Sequence, residues 1–270
     1  MKKLLAVLAA LAVAVLALAG CGSDKQDASE TKVLKVGATA VPHAEVLEQI
    51  KDDLKAQNID LQIVEFNDYV QPNLALNDKE LDANYFQHAP YLENFIKEHP
   101  EVKVANAAGI HIEPMGVYSH KVKSLAEVQD GASVAIPNDP TNGGRALILL
   151  SKAGLIKLKD DTNIASTVQD VVENTKNLKF QELEAAQVPR AIDDVDLAVI
   201  NSNFAMQVQL NPVKDSLFIE DATSPYVNIV AVRNGDEERP EIKALIKALQ
   251  SEKVKKFIEE KYNGAVVATF

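Results

Sequence analysis

The sequence is poor in the features that usually mark catalysis. One cysteine, Cys21, stands in 270 residues, so no disulfide can close within the chain. It contains no Gly-x-Ser-x-Gly elbow, no His-Glu-x-x-His pair and no P-loop, which removes the common nucleophilic, zinc-hydrolytic and nucleotide-hydrolysing designs. The five histidines (His43, His88, His99, His111, His120) are scattered, and none lies four residues from another; no metal site is expected from them. Asp193, Asp194 and Asp196 fit no standard calcium loop and read as solvated carboxylates. Aromatic residues make up only 5%, and 28 basic residues face 39 acidic ones, a balance that argues against nucleic acid and against a polybasic membrane contact. Internal repeats are absent, which removes a repeat-built adhesin. An enzyme is therefore not expected, nor is a cofactor.

What is present begins at the N-terminus. Lys2 and Lys3 precede 16 consecutive Leu, Ala and Val residues over 4–19; a membrane span needs about 20, so this reads as a signal peptide over 1–20. Its end, Leu18-Ala19-Gly20-Cys21, resembles the bacterial lipobox, in which the peptide is removed before the cysteine and that cysteine is lipid-modified. The polar stretch 21–32 then serves as a flexible tether. The expectation is a protein held to the cell membrane through lipid on Cys21 and facing the extracytoplasmic side. Removing the signal peptide, and with it Lys2 and Lys3, takes the net charge from -11 to -13 and leaves 250 residues, enough for two lobes of ordinary size.

The mature part alternates strands with helices. Residues 134–136 form a short apolar strand, followed by turn residues (Pro137, Asn138, Pro140, Gly143, Gly144) and a helix that Gly154 ends. The helix start favours an anion, the paired glycines would let a ligand approach, and Arg145 adds a planar cation that matches a carboxylate. The same strand, loop, helix pattern appears at 32–56, with a helix expected over 44–56, and again at 196–204. A strand over 81–88 ends in Tyr85-Phe86-Gln87-His88, a mixture suited to a pocket wall. Between Gly154 and Asn177 no periodicity is evident. A late strand, 224–232, carries Asn228 in an apolar run, either as a core hydrogen-bonder or as a ligand contact.

Such alternation specifies an α/β fold with largely parallel sheets, and ligands collect beyond the C-terminal ends of the strands. Those ends carry Tyr69, Phe86, His88, Asn142, Arg145, Asn201 and Asn203. The aromatic groups come from the first half of the chain, and Arg145 with most amides from the second. That split suits a cleft between two lobes closing on a small zwitterion with an apolar side chain. Arg145 is expected to take its carboxylate, the carbonyls of Asn201, Asn203 and Asn228 its ammonium, and Tyr69, Phe86 and His88 its side chain.

Six stretches together resemble the NlpA family, the MetQ-type methionine-binding lipoproteins of ABC uptake systems. They are Val-Gly-Ala-Thr with Pro-His-Ala-Glu (36–45), Leu-Asp-Ala-Asn-Tyr-Phe-Gln-His (81–88), Ile-Pro-Asn-Asp-Pro-Thr-Asn-Gly-Gly-Arg-Ala-Leu (136–147), Asn-Leu-Lys-Phe (177–180), Glu-Ala-Ala-Gln-Val-Pro-Arg (184–190) and Asp-Leu-Ala-Val-Ile-Asn (196–201). The resemblance implies a two-lobed, type II periplasmic-binding-protein-like fold. Each lobe is a mixed sheet flanked by helices, one built from 33–117 plus 230–270 and the other from 118–229, with a hinge between them. It implies that Tyr69, Phe86, His88, Asn142, Arg145, Asn201, Asn203 and Asn228 line the site. It also implies a monomer that binds methionine and delivers it to an ABC permease driven by a cytoplasmic ATPase. Some members take another small apolar amino acid or a methionine dipeptide. A metal-binding lipoprotein is the more distant alternative.

Overall fold

The computed structural model describes residues 31–221 and 224–270. The expected signal peptide, Cys21 and all but the last residues of the expected tether lie outside the described residues. No helix among those described is long and apolar enough to cross a membrane.

Strands β1 (Lys32–Ala38), β2 (Ile59–Glu65), β3 (Ala83–His88) and β4 (Val104–Ile112) belong to one sheet. The chain then enters a second sheet with β5 (Gly116–Tyr118) and β6 (Ser133–Pro137). It makes a small separate pair from β7 (Lys157–Leu158) and β8 (Val171–Glu173), and continues the second sheet with β9 (Lys179–Leu183), β10 (Leu197–Ile200) and β11 (Phe218–Ile219). Strands β12 (Val227–Arg233) and β13 (Val267–Ala268) return to the first. The orders are β13-β4-β12-β3-β1-β2 and β11-β5-β10-β6-β9. The chain therefore crosses between sheets at 113–115 and again at 220–226, whereas the expected boundaries, after 117 and after 229, fall inside β5 and β12.

The sheets are mixed rather than largely parallel. β1 runs parallel to β2 and β3, and β6 parallel to β9 and β10, because helical connections carry the chain back over the sheet. β12 enters from the other sheet, so it runs antiparallel to both β3 and β4. Leu34 and Val36 of β1 are fully buried while Lys35 between them points out, the period-2 pattern of a strand with one face on the core. The helix expected over 44–56 is interrupted at Ile50, whose φ of -106° and ψ of 0° separate Glu45–Glu48 from Lys51–Lys55.

Local sequence sets the geometry of the Pro140–Lys152 helix. The Asp139 side chain caps it by accepting from Asn142 N at 2.9 Å, and Pro140 occupies the first turn, where a missing N–H costs nothing. Ala146, Leu147, Leu149 and Leu150 bury its apolar face against the second sheet, each leucine contributing about 1.5–3 kcal/mol. Gly154, at φ +73°, ends it in the left-handed region.

The structure corrects two expectations for this segment. The anion at the helix start is the protein's own Asp139. The paired glycines make room for backbone, not for a ligand: a Cβ on Gly143 would meet Pro137 O at 2.9 Å, and one on Gly144 would strike Ile164 O and lie 2.8 Å from Ile164 C and 3.0 Å from Ser166 N. The stretch between Gly154 and Asn177, lacking periodicity, thus packs its main chain onto the helix. Gly144→Ala is expected to lower the unfolding free energy by about 1–3 kcal/mol instead of adding the ~1 kcal/mol that an unobstructed helical glycine would gain. Urea denaturation reads the sign directly.

Candidate functional site

All eight residues expected to line a site border one small cavity. Phe86 and His88 come from the end of β3; Asn142 and Arg145 from the first turns of the Pro140–Lys152 helix; Asn201 from the end of β10; Asn203 from the helix beyond it; and Asn228 from β12. Tyr69 stands just before the Gln71–Asn77 helix. Gln87, Tyr91, Glu113 and Ser202 complete the wall. Tyr69, Phe86 and Tyr91 form an aromatic corner, with ring centroids 5.7 Å apart for Tyr69 and Tyr91 and 5.9 Å for Tyr69 and Phe86. A wider groove of about 900 Å³ shares Tyr69 and Tyr91 with this cavity.

Arg145 is buried, and its charge already has a partner. Its Nε donates to Glu220 Oε1 and Oε2 at 3.1 and 3.2 Å, its Nη2 to Glu220 Oε2 and, at 2.8 Å, to the Glu113 carbonyl. The guanidinium carbon lies 4.2 Å from the Tyr226 ring centroid, a cation–π contact. Glu113, Glu220 and Tyr226 all belong to the two stretches that cross between sheets, so one side chain of the second sheet's helix ties both crossings. The bidentate edge expected to receive a ligand carboxylate is thus taken by Glu220. Among the described residues, Nη1 makes no hydrogen bond and is the edge left for a ligand.

The amides are oriented by a chain of donors and acceptors. Asp139 accepts twice from Asn142 Nδ2, at 3.0 Å each, which turns Asn142 Oδ1 the other way. That oxygen accepts from Asn201 Nδ2 at 2.8 Å and faces His88 Nε2 at 3.1 Å. His88 Nδ1 accepts from Tyr91 N at 3.0 Å, so the ring is the Nε2–H tautomer. Burial first, and the Arg145 charge second, lower its pKa to about 3; it is neutral at physiological pH. Among the described residues, Asn201 Oδ1 is left buried with no partner, and so is Asn203 Nδ2, because Tyr69 donates to Asn203 Oδ1 at 2.6 Å. The residues of this orphaned acceptor and donor both border the cavity, and each orphaned atom costs about 1–3 kcal/mol until something polar satisfies it. Of the three amide carbonyls expected to receive an ammonium, only that of Asn201 is uncommitted: Asn228 Oδ1 lies 3.0 Å from His43 Nε2.

A family model described as NlpA lipoprotein matches residues 34–270. The chain belongs to the NlpA lipoprotein family. It is 46% identical over 254 residues to the D-methionine-binding lipoprotein MetQ of Escherichia coli K12, with 93% of each chain covered. A nutrient binding protein from Burkholderia cenocepacia, solved bound to methionine, is 47% identical with a TM-score of 0.84, covering 88% of this chain and 100% of that one. The solved methionine-binding lipoprotein of Bacillus subtilis is 42% identical with a TM-score of 0.85, covering 88% and 98%. These neighbours place the mixed α/β architecture, two sheets joined by two crossings, among the MetQ-type periplasmic binding proteins.

In this NlpA-family chain the tertiary structure also assembles a group the sequence conceals. His43, His111 and Glu113 place one ligand atom each within 4.8 Å of one another, all buried. The scattering of histidines along the sequence therefore does not extend to space. His111 Nε2 lies 2.8 Å and His43 Nε2 3.2 Å from Glu113 Oε1, while Thr39 Oγ1 sits 2.7 Å from His43 Nδ1 and the Tyr85 hydroxyl on His111 Nδ1. With both hydroxyls donating to Nδ1, the His111 Nε2–H points at the carboxylate, the His43 Nε2–H donates to Asn228 Oδ1, and the network closes with neutral rings. A metal ion would need both Nε2 lone pairs and would leave the two hydroxyl protons without acceptors, so these residues fit a hydrogen-bonded network better than a metal. Burial lowers the pKa of His43 to about 4 and of His111 to about 3, and raises that of Glu113 against the pull of His43 and Arg145. Asn228 is a core hydrogen-bonder, bonded to His43 in this network, and it also borders the cavity.

Proposed function

We propose that this chain is an extracytoplasmic receptor, anchored by lipid on Cys21, that binds L-methionine between two lobes and delivers it to an ABC permease powered by a cytoplasmic ATPase. Each sheet with its helices is one lobe, and 113–115 together with 224–226 act as the hinge. The receptor works as a monomer and turns nothing over.

The observation that carries this reading is the pair of orphaned polar atoms beside Arg145 and the aromatic corner. Asn203 Nδ2 and Arg145 Nη1 are donors for a carboxylate, and Asn201 Oδ1 is an acceptor for an ammonium. Tyr69, Phe86 and Tyr91 offer ring edges to a thioether, contacts of about 0.3–1.5 kcal/mol each. The likeness to a neighbour bound to methionine supports the same ligand here.

Native mass spectrometry of the protein as purified is expected to show one retained methionine, and calorimetry on the emptied protein a one-to-one complex with L-methionine. A protein that gives no heat with methionine and carries none from the cell contradicts the reading.

A further inference from the structure

We propose that Glu113 is the counter-charge for the ligand's ammonium, and that it makes the site selective for ligands bearing a protonated amine. This rests on the function proposed above and assigns a role to a residue outside the six stretches that resemble the family.

The inference comes from where charge lies around the cavity. Among the described residues, Arg145 is the only permanent cation in its wall, and its guanidinium is already matched by Glu220. Arg145 reaches Glu113 only at the main-chain carbonyl, not at the carboxylate. The carboxylate's hydrogen-bond donors are neutral, His111 Nε2 and the Asn203 backbone N–H, and the His43 ring beside it at 3.2 Å is neutral too. His88, on the opposite side of Asn142, is neutral as well. The Glu113 carboxyl therefore lines the cavity wall with no cation of its own, and holding it ionised there without a counter-ion is costly. A zwitterionic amino acid removes that cost locally, with its ammonium against Glu113 and Asn201 Oδ1 and its carboxylate against Arg145. A ligand with a hydroxyl in place of the amine fills the same space, leaves Glu113 unpaired and incurs the full penalty.

The test uses the full chain and two probes, L-methionine and its 2-hydroxy analogue, 2-hydroxy-4-(methylthio)butanoate. Wild type is expected to prefer methionine by about 100-fold or more. In Glu113→Gln, methionine affinity falls about 100-fold while the hydroxy analogue changes less than about 3-fold, so the preference collapses. A merely structural role for Glu113 would weaken both probes alike and preserve their ratio, which would overturn the assignment. The wild-type comparison decides even where the variant fails to fold: equal affinity for the two probes removes any role for an ammonium counter-charge. Heat on titrating zinc alone into wild type, absent in Glu113→Gln, would put a metal where the ammonium is proposed and likewise overturn it. Failure of wild type to bind methionine at all is a different result, since it removes the proposed function and this assignment together.

Discussion

Replacing Arg145 with alanine is expected to weaken methionine binding by about 3–5 kcal/mol and to destabilise the fold by a similar amount. The two losses have different causes. The binding loss comes from the cation that faces the ligand carboxylate. The stability loss comes from Glu220, whose side chain is only 9% exposed and would be left as an uncompensated buried charge. A second variant separates them. Arg145→Met combined with Glu220→Gln removes both charges and keeps the volume, so unfolding free energy recovers most of what the single variant lost, while calorimetry still detects no methionine. Unchanged affinity in Arg145→Ala would contradict the carboxylate assignment. Unchanged stability would mean that Glu220 finds another partner or a proton.

Acidification is expected to cost nearly as much. Three histidines are buried and neutral: His43 with a pKa of about 4, and His88 and His111 with pKa values of about 3, against 6.5 when unfolded. Between 6.5 and those values the unfolded chain binds protons that the folded chain refuses, so stability falls as pH falls; above 6.5 the effect vanishes. Each histidine contributes about 1.4 kcal/mol per pH unit within that window. Glu113 and Asp139 oppose this, because burial raises their pKa values and the folded chain takes up their protons first. Their contribution acts between those raised values and the ordinary 4.5 and 3.8, and it reduces the loss from the three imidazoles. The unfolding free energy should fall between pH 7.5 and pH 5.5, by less than the about 4 kcal/mol that three imidazoles alone would give. The imidazole proton resonances of these three residues should not titrate above about pH 5. A flat stability profile over that interval would show that the rings are open to water.

The buried charges of this molecule are organised around the two crossings between sheets. Arg145 binds the Glu113 carbonyl in one and Glu220 in the other, and the Glu113 carboxylate reaches back to His43 and His111 beside the first sheet. A ligand that engages Arg145 and Glu113 therefore acts on the segments about which two lobes would turn. In the proposed receptor such contacts would link binding to closure, since the groups assigned to the ligand also tie the two crossings.

Much of this was present in the sequence. The strand before Asn138, the helix after it and its end at Gly154 arise from apolar spacing, Pro at the first turn and a left-handed glycine, all properties of neighbouring residues. The convergence of Tyr69, Phe86, His88, Asn142, Arg145, Asn201, Asn203 and Asn228 on one cavity accords with the rule that strand ends gather ligands, and with motifs that mark the family. Other features depend on residues far apart in the chain. Glu220 meets Arg145 from 75 positions away, and His43 joins Asn228 across 185; no local pattern encodes either pairing. Glu113, one acidic residue before a proline, carries no signal of its own until two histidines from separate elements surround it. The sequence likewise offered three amide carbonyls as equivalent acceptors, and only the hydrogen-bond chain from Asp139 leaves that of Asn201 open. Spacing along a chain determines which elements form and which ends they present; which partners remain unsatisfied, and hence which ligand is wanted, is decided when distant segments consume each other's donors and acceptors.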